Sequence, residues 1–292
     1  MSGPAADPAA PDFEVMGILN VTPDSFSDGG RFLDPSAAVA HGLRMVDEGA
    51  AILDIGGEST RPGAQPVAVD EELRRVIGVI ERLRATPTTP TISIDTSKAA
   101  VARAALAAGA WIVNDVTALR GDPEMAGVVA EADGPCVLMH MLGEPRTMQE
   151  DPRYDDVVDE VKAFLERRLA DVTRAGIAEP RIWLDPGIGF GKTLTHNLEL
   201  LARLPELAAL GRPLVIGTSR KSFLGTITGR DFDDRAPATV ATSVLAYERG
   251  ARVFRVHDVA PTRDALLVTA ATVQRRWPTT RAISTTRTST TT

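Results

Sequence analysis

Short runs of apolar residues alternate along the chain with polar loops and with amphipathic patterns of helical period. Eight such runs occur, and they span residues 16–19, 51–55, 91–95, 111–114, 136–141, 181–185, 214–217 and 253–257. Each run is short and nearly continuous, which is typical of strands that are buried on both faces. The chain is therefore predicted to repeat one unit, a buried strand followed by a loop and a helix.

The first unit shows this pattern clearly. Its apolar run ends at Asn20, and a loop of turn-forming residues follows, in which Pro23 excludes a helix start. A helical pattern then begins near Ser36, whose side chain is predicted to cap the helix. In the third unit, Thr96–Ser97 is predicted to cap a helix over residues 98–108. In both units, the end of the strand is followed by a loop and then by a residue predicted to cap the helix.

The alternation of strands and helices predicts the fold class. It implies parallel strands with right-handed crossovers, and eight units within residues 13–277 match an α/β fold consisting of a single (β/α)8 TIM barrel. A doubly wound open sheet is the alternative, but it requires a phosphate-binding fingerprint in its first turn, and the turn after Asn20 has none. Residues 1–12 and the Thr-rich stretch 278–292 lack periodicity, so they are predicted to be a disordered leader and a disordered tail.

Polar residues interrupt the predicted strands at their carboxyl ends, where barrel enzymes place their chemistry. Alternation along the third strand turns Ser93 and Asp95 away from its isoleucines and toward the barrel interior. Asp95 or Asn114 taken alone would equally suit the cap of the next helix, and Asp115 is assigned to such a cap. Together, however, the polar strand ends are predicted to meet at the barrel mouth: Asn20, Asp95, Asn114, Asp185, Arg255 and His257.

Composition narrows the function classes. The net charge of −7 argues against a general affinity for nucleic acid, so an anionic ligand requires a local cluster of cations. The four histidines and one cysteine show no metal-ligand spacing. Because Cys136 is the one cysteine, the chain cannot form an internal disulfide framework. No apolar run approaches the ~18 residues of a membrane span, and the leader has neither a basic nor an apolar segment. A cytoplasmic location is predicted.

Isolated residues receive the simpler interpretation. His140 and His196 are interpreted as surface or hydrogen-bonded core histidines, and His41 as a solvated residue within a helix. The tryptophans are interpreted as packing residues, and they are Trp111, Trp183 and Trp277.

Two loops carry cations. Residues 185–192, with the sequence DPGIGFGK, contain Gly187 and Gly189 but fit neither a dinucleotide loop nor a P-loop, and Lys192 alone is compatible with a surface charge. Residues 218–222, with the sequence TSRKS, follow the seventh strand, where barrel enzymes often bind phosphate. With Arg255 and His257 on the next strand, these cations suit a pyrophosphate group.

Eight motifs together resemble the dihydropteroate synthase family throughout residues 13–277, in the family's order. They are NVTPDSFSDGG (20–30), GGESTRPGA (56–64), IDTSK (94–98), NDV (114–116), MHMLGEPRTMQ (139–149), DPGIGFGK (185–192), SRKSF (219–223) and RVHDV (255–259). Leu142 departs from the basic or polar residue expected after MHM, within a variable loop. The first two loops are intact, unlike those of non-catalytic paralogues.

The resemblance implies a transferase of folate biosynthesis that condenses 7,8-dihydropterin-6-ylmethyl diphosphate with 4-aminobenzoate, giving 7,8-dihydropteroate and pyrophosphate by an SN1-like path. It also implies sulfonamide competition for the aminobenzoate pocket, a homodimer, and Mg2+ held mainly by pyrophosphate and water. Two alternatives are a non-catalytic pterin-binding paralogue and a pterin-dependent methyltransferase. Cations in the SRK and RVH segments favour a diphosphate ligand over the methyltransferase, and the intact first loop favours catalysis.

Residue roles follow from the same resemblance. The pterin is expected to contact Asp95, Asn114, Asp185, Lys221 and Met139. The pyrophosphate is expected to contact Asn20, Arg255 and His257, with Asn20 also a ligand of Mg2+. The aminobenzoate is expected to contact Phe26, Thr60, Arg61, Pro62, Phe190, Lys221 and Ser222. The residues expected to act in catalysis are Asp95, Lys221, Asp28 and Asn20, with Asp95 stabilising a methylene cation.

Overall fold

The computed structural model describes residues 11–22, 35–60, 63–88, 90–144 and 146–275. Within them, eight parallel strands form one sheet in the order β6-β5-β4-β3-β2-β1-β8-β7. A parallel bridge between Leu184 and Leu214 joins the two edges, so the sheet is a nearly closed barrel, as predicted. The strands are β1 (Glu14–Asn20), β2 (Ile52–Gly56), β3 (Thr91–Asp95), β4 (Ile112–Asp115), β5 (Cys136–Met139), β6 (Ile182–Asp185), β7 (Val215–Ile216) and β8 (Val253–Val256).

Helices follow the strands and surround the barrel. They are α1 (Pro35–Asp47), α2 (Val69–Arg84), α3 (Ala99–Ala107), α4 (Met125–Glu131), α5 (Val157–Arg174), α6 (Leu194–Ala202), α7 (Leu204–Ala208), α8 (Ser222–Thr228), α9 (Ala236–Glu248) and α10 (Val259–Gln274). Two short 3₁₀ turns lie at Glu179–Arg181 and Phe232–Asp234. Among the described residues, no helix combines the length and the apolar character needed to cross a membrane.

The apolar side chains form an outer and an inner layer. Ile92 and Ile94 of β3 belong to the outer layer between strands and helices, as the alternation predicted. The inner layer is a smaller cluster that fills the lower part of the barrel, and it consists of Met16, Ile52, Ile112, Val137, Val215 and Val253, with Trp183 packed against it. Two residues further along five of these strands, the alternation places Asp54, Asn114, Met139, Asp185 and Arg255 above this floor. The polar site is therefore built on a packed base.

Several local predictions were wrong. Ser36 lies inside α1, which is already helical at Pro35, so it is not the cap. The predicted cap of α3 by Thr96–Ser97 was displaced by one residue: Thr96 Oγ1 accepts from Lys98 N at 3.2 Å, just before the helix begins, and the carboxylate of Asp122 accepts from Ala99 N at 2.9 Å. Asp115 accepts from backbone N–H groups of the following loop, whereas the next helix begins only at Met125, so Asp115 caps a turn and not a helix.

The aromatic predictions had mixed outcomes. Trp183 packs in the barrel floor, as predicted. Trp111, just before β4, is 50% exposed, so it is not a core residue, although its ring lies against Gly134. Trp277 lies outside the described residues, as do the predicted tail and all but residues 11 and 12 of the predicted leader.

Candidate active site

Arg255 organises the centre of the barrel mouth. Its Nε donates to Asp54 Oδ2 at 2.6 Å and its Nη2 donates to Asp95 Oδ2 at 2.6 Å. Asn114 Nδ2 donates to the same Asp54 oxygen at 3.1 Å. Asp54 is fully buried, and Asp95 and Asn114 are nearly so. Side chains from β2, β3, β4 and β8 thus form one hydrogen-bonded cluster. Three of its members, Asp95, Asn114 and Arg255, were predicted to meet at the barrel mouth.

Asp54 was missed by the sequence analysis, although a signal existed. In β2, Ile52 faces the barrel floor, and alternation places Asp54 on the same inward face two residues later. A carboxylate at an inward position of a buried strand requires a cation or several donors. Its second oxygen, Asp54 Oδ1, has no hydrogen-bond partner among the described residues, and neither has the neighbouring Ser93 Oγ.

Burial controls protonation in this cluster. Desolvation raises the pKa of Asp95 to about 7, although Arg255 opposes this shift, and the nearby carboxylate of Asp54 adds to it. Burial also acts to lower the pKa of Arg255, but Asp54 and Asp95 outweigh it and hold the guanidinium charged. One cation therefore serves two carboxylates, and Asp95 titrates near neutral pH.

Asp185 and Lys221 add one further carboxylate and one further ammonium group beside this cluster, and each shifts the pKa of the other through its charge. Burial raises the pKa of Asp185, while a hydrogen bond from Gly187 N at 2.7 Å and the charge of Lys221 oppose the shift. Burial lowers the pKa of Lys221 to about 8, although Asp185 acts in the opposite direction. Lys221 Nζ lies 4.0 Å from the centre of the Phe190 ring, in a cation–π contact.

The loop after β6 packs its backbone directly on the loop after β5. Gly187 has φ of +68°, and a Cβ at this position would lie 1.8 Å from His140 O. Gly191 has φ of +64°, and a Cβ there would lie 2.6 Å from Leu142 O. Only glycine combines these backbone angles with such close approach. The wall of the site that carries Phe190 is therefore fixed by backbone contacts.

Lys192 supports the same wall from behind. Its interpretation as a surface charge was wrong, because Lys192 is 3% exposed and its Nζ lies 2.9 Å from His140 Nδ1 and 3.0 Å from Phe190 O. Burial lowers the pKa of Lys192 to about 7, and burial together with Lys192 lowers the pKa of His140 to about 2. The prediction for His140, a hydrogen-bonded core histidine, is confirmed. His196 forms the capping box of α6 with Thr193.

The cations after β7 do not all face a ligand. Arg220 has φ of +56°, and its guanidinium donates to both carboxylate oxygens of Asp258, at 2.7 and 3.0 Å, and to Asp233. The expectation that the whole SRK segment supplies cations to pyrophosphate was therefore wrong for Arg220, which instead ties the loop to the start of α10. Of Arg220 and Lys221, only Lys221 acts on Asp185 through its charge.

The base of the loop after β2 is anchored by an ion-pair network. Glu72 of α2 is fully buried; it accepts from Thr96 Oγ1 at 2.7 Å and from Lys98 Nζ at 2.5 Å. Lys98 Nζ also donates to Glu58, which lies on the loop. The network joins the end of β3, which carries Asp95, to the segment that leads to Thr60.

The remaining predicted residues lie around this mouth or outside the described residues. Asn20 ends β1 and pairs in register with Gly56. Met139 ends β5 and packs with Phe190 and two further methionines. Ser222 begins α8, and Thr60 is half-buried after β2. The predicted residues outside the described part of the chain are Phe26, Asp28, Arg61 and Pro62.

Chemically, the arrangement suits a polar heteroaromatic ligand that carries an anionic group. Buried carboxylates at Asp95 and Asp185 can accept from ring and exocyclic N–H groups, and the amide of Asn114 complements them. Arg255 and Lys221 supply positive charge at the same opening. Within the described residues, no group of three or more His, Cys, Asp or Glu side chains is arranged to hold a metal ion.

Known proteins are similar to this chain in sequence and fold. The family described as pterin binding enzyme matches residues 16–257. Dihydropteroate synthase of Escherichia coli (strain K12) is 48% identical over 262 residues, which cover 90% of this chain and 92% of that protein. Dihydropteroate synthase of Mycobacterium leprae (strain TN) is 51% identical over 265 residues, which cover 88% of this chain and 93% of that protein.

Solved structures of dihydropteroate synthases are also similar to this chain. The Xanthomonas albilineans dihydropteroate synthase with 4-aminobenzoic acid has 53% identity and a TM-score of 0.84, covering 91% of this chain and 94% of that one. The same enzyme in complex with 7,8-dihydropteroate has 50% identity and a TM-score of 0.80, with the same coverage. Sequence and fold agree with these relatives over most of the chain, and the protein therefore belongs to the dihydropteroate synthase family of pterin binding enzymes.

Proposed function

We propose that this protein condenses 7,8-dihydropterin-6-ylmethyl diphosphate with 4-aminobenzoate to form 7,8-dihydropteroate and pyrophosphate. The observation that carries the proposal is the buried cluster in which Arg255 bridges Asp54 and Asp95. Relatives named dihydropteroate synthase, solved with 4-aminobenzoic acid and with 7,8-dihydropteroate, support it. They do not favour a non-catalytic paralogue or a methyltransferase.

The pterin edge is bound by Asp185, Asn114 and Lys221 in this proposal. Asp185 accepts from the exocyclic amino group and the adjacent ring N–H, and Lys221 donates to the ring carbonyl and a ring nitrogen. Asn114 Nδ2 donates one of its two N–H groups to the carboxylate of Asp54, so its second N–H and its amide oxygen remain for the ligand. Asn114 thus contributes a donor and an acceptor, and Met139 adds an apolar contact beside Phe190.

Reaction begins when the bond between the pterin methylene carbon and the diphosphate oxygen breaks. The electron pair leaves with pyrophosphate, and the methylene cation is conjugated with the dihydropterin ring. Asp95, in its ionised form, stabilises that cation in a buried site where charges interact strongly. The amine of 4-aminobenzoate then forms the new C–N bond and loses a proton to pyrophosphate or solvent. Positioning, more than activation of the amine, determines this second step.

The departing pyrophosphate is held by Arg255, His257 and Asn20. The residues present fit Mg2+, because Asn20 offers an amide oxygen at the end of β1 and its side chain has no hydrogen-bond partner among the described residues. A hard ion that keeps several waters needs only such a single protein ligand besides the diphosphate oxygens. When bound, Mg2+ supplies positive charge that offsets the charge on the leaving group.

The aminobenzoate occupies the outer part of the mouth. Phe190 and Lys221 form one side of this pocket. Ser222, at the start of α8, and Thr60, in the loop after β2, lie at its edge in this proposal. Phe26, Arg61 and Pro62 complete the pocket in this proposal, and Asp28 acts in turnover. Sulfonamides compete for the same pocket.

The test is a mixture of purified protein, Mg2+, the pterin diphosphate and 4-aminobenzoate. Pyrophosphate and 7,8-dihydropteroate are expected in equal amounts, measured by an enzyme-coupled phosphate assay and by mass spectrometry. Omitting 4-aminobenzoate is the control for simple hydrolysis. Pyrophosphate release without dihydropteroate, or no release at all, would refute the proposed reaction.

The pH profile of kcat/KM for the pterin diphosphate is expected to be bell-shaped. Activity rises as Asp95 ionises, with a limb near pH 7, because only the carboxylate stabilises the cation. Activity falls above about pH 8, because Lys221 then loses the proton that it donates to the pterin. Lys221→Arg keeps its charge and should remove the alkaline limb, even where it lowers the maximum. A flat profile between pH 6 and 9 would contradict these assignments.

Loosening the loop after β2 is expected to weaken the binding of 4-aminobenzoate and to leave the binding of pterin unchanged. Glu58→Gln removes the negative charge that ties the loop to Lys98, while the ion pair between Lys98 and Glu72 remains. The KM for 4-aminobenzoate should rise by about five- to tenfold, and the Kd for pterin should stay the same. Glu131→Gln, which removes an exposed ion pair with Arg103 of α3, is the matched control and should change neither. Equal changes in both constants would contradict this role for Glu58.

We further place the enzyme in the cytoplasm as a homodimer. The one cysteine, Cys136, is buried and free, which suits a reducing compartment. Leu245 of α9 and Val268 and Val273 of α10 are exposed apolar side chains on two helices that pack together, and they support a protein interface on this side of the barrel. Sedimentation equilibrium tests the dimer.

A further inference from the structure

Ser219 makes two hydrogen bonds to one histidine. Its Oγ accepts from the backbone N of His257 at 3.0 Å, and the same Oγ lies 2.9 Å from His257 Nδ1. Ser219 follows β7, His257 follows β8, and Ser219 is 5% exposed. The contact therefore connects the ends of two neighbouring strands inside the site, and the proposed function above gives Ser219 no role.

The hydrogen-bonding capacity of a hydroxyl decides the direction of the second bond. A backbone N–H only donates, so Ser219 Oγ is an acceptor in the first bond. If His257 Nδ1 also donated, the hydroxyl hydrogen would need a third partner, and no other described residue hydrogen-bonds Ser219. A buried hydroxyl rarely leaves its hydrogen unused. Ser219 Oγ–H therefore donates to Nδ1, and the neutral imidazole carries its proton on Nε2.

We propose that Ser219 is a positioning residue that fixes His257 in the Nε2–H tautomer, so that the ring presents a donor to the departing diphosphate. Nε2 lies on the side of the ring away from Ser219, and Phe232 packs edge-on against the ring with centroids 6.1 Å apart. In the opposite tautomer, Nε2 would turn a lone pair toward an anion. The diphosphate role rests on the proposed function, whereas the tautomer itself does not.

The tautomer is tested directly by NMR of 15N-labelled histidine side chains. The chain has four histidines, and His257→Gln identifies the signal of interest. Two-bond correlations at neutral pH are expected to show a protonated Nε2 and an unprotonated Nδ1 in the wild type, and a loss of this preference in Ser219→Ala. A protonated Nδ1 in the wild type, whether as the other tautomer or as imidazolium, would overturn the proposal.

The consequence for binding is tested by calorimetry with pyrophosphate and Mg2+. Ser219→Ala should weaken pyrophosphate binding about tenfold and leave binding of a pterin without a diphosphate unchanged. Ser219→Thr keeps a hydroxyl and should restore most of the affinity. Thr242→Val is the control, because it removes a buried hydroxyl that bonds to Thr218 at 2.8 Å and does not contact His257.

A double mutant separates positioning from a general structural effect. If Ser219 acts through the imidazole, Ser219→Ala combined with His257→Ala should bind pyrophosphate no more weakly than His257→Ala alone. Additive losses, or an unchanged affinity in Ser219→Ala, would overturn the proposal. Should the wild type release no pyrophosphate from the pterin diphosphate, the proposed function fails, and the NMR measurement still decides the tautomer.

Discussion

Asp185→Ala is expected to weaken pterin binding by about 10³-fold. The carboxylate is proposed to accept two hydrogen bonds from the ligand, and each hydrogen bond to a charged group contributes about 1.5–3 kcal/mol. Removing the carboxylate leaves the ligand's amino group and ring N–H unpaired in a site with little water, because Asp185 is 6% exposed. Calorimetry with a pterin that lacks the diphosphate measures the loss without involving the pyrophosphate contacts.

Two further variants make this result interpretable. Asp185 also accepts from Gly187 N, so thermal unfolding must confirm that the loop after β6 stays folded. Asp185→Asn keeps the acceptor for Gly187 and should lose less affinity than Asp185→Ala. Asp133→Ala, at an exposed position before β5, is the control and should bind pterin normally. A loss below about threefold in Asp185→Ala would show that the pterin edge lies elsewhere.

Arg255→Met is expected to lower the free energy of unfolding by about 3–5 kcal/mol at pH 8, because it leaves two buried carboxylates without their cation. Urea unfolding measures this change. The loss should be smaller at pH 6, since protonation of Asp95, whose pKa is about 7 even beside Arg255, then removes one of the negative charges. In the wild type, this raised pKa means that the contribution of Asp95 to stability falls as pH rises from about 4 to 7.

Controls distinguish this effect from loss of a long side chain. Arg153→Met removes an arginine side chain that is 84% exposed and pairs with Asp151, and it should cost less than about 1 kcal/mol at both pH values. Asp54→Asn combined with Arg255→Met should recover part of the loss, because one uncompensated charge is removed. An equal loss at pH 6 and pH 8 would show that Arg255 stabilises the fold by packing and not by charge.

The fold was predictable because apolar runs and turns recur with the period of a strand–helix unit. The bounds of β3 agree with its apolar run, since alternation there separates Ile92 and Ile94 from Ser93 and Asp95. β5 ends two residues before its apolar run does, because Met141 is apolar and buried yet belongs to the loop. Apolar character predicts that a residue is buried, but it does not distinguish a buried strand residue from a buried loop residue.

The polar partners were not predictable by the same means. Asp54 and Arg255 are 201 positions apart, so only the closed barrel brings them together. Lys192 and Arg220 looked equivalent as cations on loops, but one is buried against His140 and the other is paired with Asp258. Side-chain charge is visible in a sequence, whereas the partner that neutralises it depends on tertiary contacts.

The glycine turn after β6 also limits how the site can evolve. At Gly187 and Gly191, any added side chain would collide with the carbonyl of a neighbouring loop, at His140 and Leu142 respectively. An inhibitor that contacts the backbone of Gly187 and Gly191 therefore meets two positions at which no side chain can be added without displacing the neighbouring loop. Escape from such a compound would have to arise at other positions, such as Phe190 or the segments across the mouth, where the backbone tolerates side chains of other sizes.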